Sequence, residues 1–250
     1  MRFHLPEPPD GWRTFVNDIV IVVIGVLIAL GAQQLVESYE WRAKVSRAEA
    51  AMRLELIDDN GPAGYGRLLV APCLDQRITA IHDGAGHVPS DQLREWIAGY
   101  TPPFRSWDSE AWKAVVASDV GSHMGTERLV QWSAMYRITP SMTEAVEREA
   151  QLAADLREAV PPTGEIGPAE AAIIRRTAGQ LRLLNRRLVR GSALLLARSE
   201  KNGTAVRLPI QQALLNQARA VYGDCVQAPD PDAVPEGQQL RSNLTAGTVR

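Results

Sequence analysis

The feature that most constrains this chain is an almost uninterrupted apolar segment near its N-terminus. Residues 19–32 read IVIVVIGVLIALGA, and compatible residues on both sides extend the segment to 15–36. Trp12 precedes the segment, and Tyr39 and Trp41 follow it. A helix from Trp12 to Tyr39 is about 40 Å long, which matches a bilayer with both of its interfaces. Because aromatic side chains are enriched at those interfaces, we predict a membrane-spanning helix over 15–36.

A cleaved secretory signal is the alternative interpretation of the same segment. Arg2 and Arg13 precede the apolar residues, and Ala29-Leu30-Gly31 has the small residues of a cleavage site. Acidic residues and prolines in the leader argue against cleavage, and the helical pattern continues beyond the cut. We therefore expect the anchor to remain uncleaved.

One face of the predicted span carries an ionisable group and three small residues. Asp18, Gly25, Ala29 and Ala32 recur at helical spacing. Small residues at this spacing let two membrane helices approach closely, and an acidic group at the bilayer edge prefers a protein partner to lipid. This face is a candidate contact for a membrane helix of another protein or of a second copy of this chain. The alternative is that Asp18 reaches water and Gly25 has no role.

The remaining sequence predicts an all-α fold, since apolar residues recur with a period near 3.6 and no alternating strand pattern occurs. The anchor helix should continue as a stalk over 37–60 and end at Asp58-Asp59-Asn60-Gly61-Pro62. A helical bundle should occupy the rest of 37–227, and a disordered tail should follow over 228–250, where the apolar period is lost. The expected further helices are 68–81, one opened by Ser90, 107–117 capped from Ser106, 126–138, 140–160, 168–201 and 208–224, with a turn over 121–125.

Composition and motifs give no sign of chemistry. A net charge of -2 provides no electrostatic reason to expect a nucleic acid partner. The histidines His4, His82, His87 and His123 do not form a spacing that metals use, and no phosphate loop, nucleophile elbow or dinucleotide motif occurs. We therefore expect no metal, no cofactor and no enzymatic activity.

Cys73 and Cys225 bracket the predicted domain and are the only cysteines in the chain. Such a pair would suit one disulfide in an oxidising compartment, while two unrelated buried thiols explain the count nearly as well.

The predicted helix over 168–201 is rich in arginine, and the helix before it is acidic. The two helices could pair their charges along exposed edges. Alternatively, the arginines could bind anionic lipid headgroups or an acidic partner, as guanidinium groups do well. The candidate surface is Arg175, Arg182, Arg186 and Arg190, and the acidic residues are Glu144, Glu147, Glu149, Asp155 and Glu158.

Trp107, Trp112 and Trp132 support two interpretations. Aromatic residues at helical spacing normally supply the core of a small bundle, but they could also line a ligand pocket. Two functional hypotheses follow: a membrane-anchored interaction or assembly protein, and a ligand-sensing helical bundle. We favour the first, since a tail over 1–14 leaves no room for a cytoplasmic output domain.

Three segments together resemble a known group of proteins. Gly11-Trp12-Arg13-x-Phe15, the span residues VVIGVLIAL over 22–30, and Ala71-Pro72-Cys73-Leu74-Asp75 are similar to uncharacterised single-span bacterial envelope proteins with a helical extracytoplasmic domain. The resemblance implies an inner-membrane protein with residues 1–14 in the cytoplasm and the domain in the periplasm, and it favours a Cys73–Cys225 bridge. It implies no activity. This chain departs from the group at 60–64, where a more continuous helix would be expected.

Overall fold

A computed structural model of the chain describes residues 12–103 and 105–229. Every regular element in these ranges is helical, which confirms the predicted all-α fold. The predicted tail over 228–250 and cytoplasmic segment over 1–14 lie almost wholly outside the described residues. The helices are α1 (Trp12–Glu55), a π-helical segment (Leu56–Asn60), α2 (Gly61–Gly84), α3 (Ser90–Ala98), α4 (Glu110–Ala117), α5 (Val120–His123), α6 (Thr126–Tyr136), α7 (Thr139–Glu158), α8 (Pro168–Lys201), α9 (Leu208–Tyr222) and a 3-10 turn (Gly223–Cys225).

The predicted helix end at Asp58-Asp59-Asn60-Gly61-Pro62 is wrong. The chain stays helical through the π-helical segment, in which the Gly61 N–H donates to the Leu56 carbonyl, and continues into α2. Pro62 is the second residue of α2, directly after the π-helical segment. The Asn60 amide does not form a turn but exchanges hydrogen bonds of 2.7 and 2.8 Å with the backbone of Asp108.

The long helix formed by α1, the π-helical segment and α2 is exposed in its N-terminal part and buried in the domain core further along. Over Phe15–Gly84 it contains a window of mean hydropathy 2.6 in which no residue is buried, so it is long and apolar enough to cross a membrane. Further along, Val45, Met52 and Leu56 are buried. The second half of the predicted stalk is therefore part of the domain core.

The core has two parts on either side of the π-helical segment. The part nearer the span is built from α1, α4, α6 and α7 with the end of α8. The farther part is built from α2, α3, α7, α9 and the start of α8. Because α8 packs along α2 and contributes to both parts, it joins them into one domain.

The sequence placed α8 at its observed ends, and α6, α7 and α9 within two residues of theirs. The predicted turn over 121–125 is wrong, since α5 forms there. The expected start of α4 at Trp107 is also wrong, because the helix begins at Glu110 and Ser106 does not cap it. Instead the Ala111 N–H donates to a Glu55 carboxylate oxygen at 2.9 Å, so α1 satisfies the first turn of α4. Ser90 opens α3 without a side-chain cap.

Candidate interaction sites

The predicted contact face of the anchor is uncovered. Asp18, Gly25, Ala29 and Ala32 are all exposed. At about 100° per residue they fall within a sector of about 60°. A Cβ atom built on Gly25 meets nothing within 4 Å. Within the described residues, no helix covers this face.

Cys73 and Cys225 form a disulfide, with their Cα atoms 5.3 Å apart. The bond ties the turn after α9 to α2 across 152 residues of sequence. Beside it, the Gln227 N–H donates to the Leu69 carbonyl at 3.3 Å. This resolves the two alternatives in favour of the bridge, which is a bond typical of oxidising compartments.

A buried polar cluster at the centre of the domain was missed by the sequence analysis. Arg67 on α2 donates to both carboxylate oxygens of Glu149 on α7 at 2.7 Å, and to the Asn185 side-chain oxygen on α8 at 2.8 Å. Tyr100 donates to Glu149 at 2.8 Å. Burial, followed by the Glu149 charge, raises the pKa of the Tyr100 hydroxyl well above its usual range. We name these four residues the Arg67 cluster.

The Arg67 cluster fixes how three helices pack. Arg67 is 3% exposed and Glu149 1%, so each charge needs the other in the interior. Among the described residues, no side chain or backbone group accepts a hydrogen bond from the buried Arg67 Nε atom. A sequence signal existed, because Arg67 and Glu149 fall where the apolar spacing of their helices calls for a core residue. Glu149, assigned above to an acidic edge, therefore does not pair with the arginines of α8.

Of the four arginines predicted to form a surface, two are half-buried and two are exposed. Arg175 donates to the Ala85 carbonyl at 2.6 Å, and Arg182 donates to the Thr79 hydroxyl at 2.5 Å. Both are half-buried and help to hold α8 against the end of α2 and the residue after it. Arg186 and Arg190 are exposed. The predicted set thus combines two packing residues with two surface residues.

An exposed stripe of α8 shares Arg190 with that set, and its other members were not predicted. Ile173, Arg176, Leu183 and Arg187 recur along α8 and are all exposed, with Leu183 at 67%. The stripe combines apolar and basic side chains, and it continues to Arg190. We name Ile173, Arg176, Leu183, Arg187 and Arg190 the α8 stripe.

Of the three tryptophans proposed for a pocket, Trp107 and Trp132 lie in the core, and Trp112 is half-buried against it. Trp107 and Trp132 are 5% exposed. Trp112 stacks on Tyr136, with ring centroids 5.9 Å apart. A cavity of about 60 Å³ lies beside Trp132 and Arg53, whereas ligand pockets usually exceed about 300 Å³.

Two of the described histidines, His82 and His123, have side-chain contacts. His82 lies 2.8 Å from the Asp83 carboxylate, and His123 stacks on Trp41. His4 lies outside the described residues. Among residues 12–103 and 105–229, no group of three or more histidine, cysteine or acidic side chains could hold a metal ion.

Comparisons of the chain with known protein families, with curated proteins and with solved structures find no match.

Proposed function

We propose that this chain is an extracytoplasmic helical interaction protein, anchored by one membrane helix, that works by binding other components of the cell envelope without catalytic chemistry of its own. One observation carries the proposal: a fully exposed apolar helix continues unbroken into the core of a disulfide-bonded domain. Such a helix holds the domain at a fixed place relative to the membrane. The disulfide favours an oxidising compartment, hence a domain in the periplasm and an N-terminus in the cytoplasm of a bacterial inner membrane.

The position of the α8 stripe favours a partner other than the anchoring membrane. Arg182, in the middle of α8, contacts Asp75 and Thr79 of α2. Thr79 lies roughly 60 Å along the helix beyond the end of the predicted span at Val36. Electrostatic attraction to lipid headgroups fades within about 10 Å at ordinary salt. We therefore propose that the stripe binds an acidic and partly apolar surface of an envelope protein.

The anchor face supplies a second proposed contact. A helix partner packing on Gly25, Ala29 and Ala32 would gain close backbone approach and could satisfy Asp18 at the bilayer edge. The partner is either an envelope protein or a second copy of this chain. The ligand-sensing bundle with a pocket of Trp107, Trp112 and Trp132 stays an alternative prediction, tested by ligand-dependent melting that Trp112→Ala removes.

Crosslinking in cells followed by affinity purification tests the proposal, because each surface has a matched control. Arg176→Glu with Arg187→Glu should remove co-purifying proteins, while Arg148→Glu on the exposed face of α7 should leave them in place.

Gly25→Leu should remove membrane-helix partners or crosslinked dimers, while Gly31→Leu, the same change on another face of the span, should leave them in place. Unchanged partners in both Gly25→Leu and the double arginine variant would contradict the proposal.

A further inference from the structure

A groove lies at the C-terminal end of the predicted membrane span, from Gln34 onward. Its volume is about 600 Å³, and α1 forms one wall while α5 and the start of α6 close the other side. The residues of interest are those nearest the span: Gln34, Glu37, Ser38, Trp41 and Arg42 of α1, with His123 of α5.

Trp41 is held rigidly in this groove. The His123 ring stacks on it, with centroids 3.8 Å apart and planes 12° from parallel. The Lys44 ammonium lies 4.2 Å from the centre of the same indole ring. Two groups cannot share one face at these distances, so Lys44 and His123 lie on opposite faces. The stack therefore fixes α5 against α1.

When residues 15–36 span a bilayer, the α1 residues that directly follow Val36 lie in the headgroup layer. That layer adds about 5 to 8 Å to each side of the hydrocarbon core. At 1.5 Å per residue, it covers about five residues beyond Val36, which reaches Trp41. Glu37, Ser38, Trp41 and Arg42 therefore lie in or at the edge of this layer.

Two acidic and two arginine side chains line the groove, and one acidic–arginine pair forms an ion pair. Glu49 and Arg128, at its far end, pair with each other at 3.2 Å. Glu37 and Arg42 are exposed, and neither forms an ion pair with another residue of the described part of the chain. Among the residues that line this end of the groove, one acidic and one basic group thus lie near the headgroup layer with the Ser38 hydroxyl and the Trp41 indole.

We propose that this groove binds the zwitterionic headgroup of a phosphoethanolamine lipid. The Arg42 guanidinium and the Ser38 hydroxyl donate to its phosphate, and Glu37 accepts from its primary ammonium group. A purely anionic headgroup would leave Glu37 facing negative charge, and a choline headgroup has no N–H to donate. This inference rests on the membrane anchoring proposed above.

Native mass spectrometry of the full-length protein in detergent tests the headgroup site, with phosphatidylethanolamine, phosphatidylcholine and phosphatidylglycerol of matched acyl chains added in turn. Phosphatidylethanolamine should be retained best. Arg42→Ala should weaken its retention by about fivefold, the effect of one basic residue near a lipid surface. Arg47→Ala, an exposed arginine of the same helix that does not line the groove, should change nothing. Glu37→Gln should abolish the preference over phosphatidylcholine, and free phosphoethanolamine at millimolar concentration should not compete.

Equal retention of the three lipids, equal losses in Arg42→Ala and Arg47→Ala, or a protein bound in place of lipid would overturn the proposal. Competition by free phosphoethanolamine would also overturn it, because the site would then recognise a soluble compound. Flotation of the wild-type chain with liposomes distinguishes a failure of the headgroup site from a failure of the membrane anchor. A chain that does not float defeats both proposals, and one that floats without a lipid preference defeats only the headgroup site.

Discussion

Arg67 on α2 and Glu149 on α7 form a bidentate ion pair in the centre of the domain, with both nitrogen–oxygen distances at 2.7 Å. Both side chains are almost fully buried. The pair is 82 residues apart in sequence, and Tyr100 and Asn185 extend it to the segment after α3 and to α8. The packing of the domain therefore depends on a match of charge as well as on apolar burial.

Glu149→Leu should leave the Arg67 charge buried without its partner. Removal of one member of a buried pair typically lowers the free energy of unfolding by about 3 to 5 kcal/mol. The double variant Arg67→Met with Glu149→Leu should recover part of that loss, because no isolated charge remains. Urea unfolding of the detergent-solubilised chain, followed by tryptophan fluorescence, measures both. A loss below about 1 kcal/mol in Glu149→Leu would show that the pair does not stabilise the domain.

Reduction of the Cys73–Cys225 bond should destabilise the domain and free the turn after α9. Loss of a native disulfide typically lowers the free energy of unfolding by about 2 to 5 kcal/mol. Wild-type protein in dithiothreitol and the Cys73→Ala, Cys225→Ala double variant should melt at similar temperatures, both below the oxidised protein. A melting temperature unaffected by reductant would contradict the prediction.

Gly61→Ala should disturb the π-helical segment. A Cβ atom at Gly61 would lie 2.7 Å from the Leu56 carbonyl oxygen and 2.9 Å from Val206 Cγ2. Overpacking of this kind lowers the free energy of unfolding by about 1 to 3 kcal/mol. Gly66→Ala in the same long helix is the control, because its Cβ meets nothing within 4 Å and alanine favours helix by up to about 1 kcal/mol. Melting temperatures of the two variants should move in opposite directions.

Asp59 should make the domain less stable as the pH rises. Partial burial, with the nearby charges of Asp108 and Asp58, raises the pKa of its carboxyl above the usual value. The folded state therefore binds a proton more tightly than the unfolded state, and stability falls as the pH rises from the unfolded pKa through the folded one. Asp59→Asn should raise stability at pH 7 by less than about 1 kcal/mol, since the group is exposed. The gain should vanish below the unfolded pKa, and a gain that is the same at pH 3 and pH 7 would contradict this origin.

The sequence predicted correctly those elements that are determined by residues close together in the chain. Pro168 and Asn202-Gly203 mark the two ends of α8, and the apolar segment over 19–32 indicates the exposed span. The predicted break at 58–62 was wrong because Asn60 uses its amide on Asp108, 48 residues away. Arg175 and Arg182 looked like surface residues because their acceptors, Ala85 and Thr79, come from a distant segment. Such pairings depend on tertiary packing, which the spacing within one helix does not encode.

Topology is the most direct test of the central claim, an anchored domain outside the cytoplasm. Bacterial cells producing the full chain would be treated with a membrane-impermeant thiol reagent, as intact cells and as opened spheroplasts, with and without prior reduction, and the product resolved by mass. An anchored periplasmic domain with a Cys73–Cys225 bridge should be labelled in spheroplasts only after reduction, on a protein of full uncleaved mass. Labelling that needs no reductant but requires lysis would place free thiols in the cytoplasm and contradict the central claim.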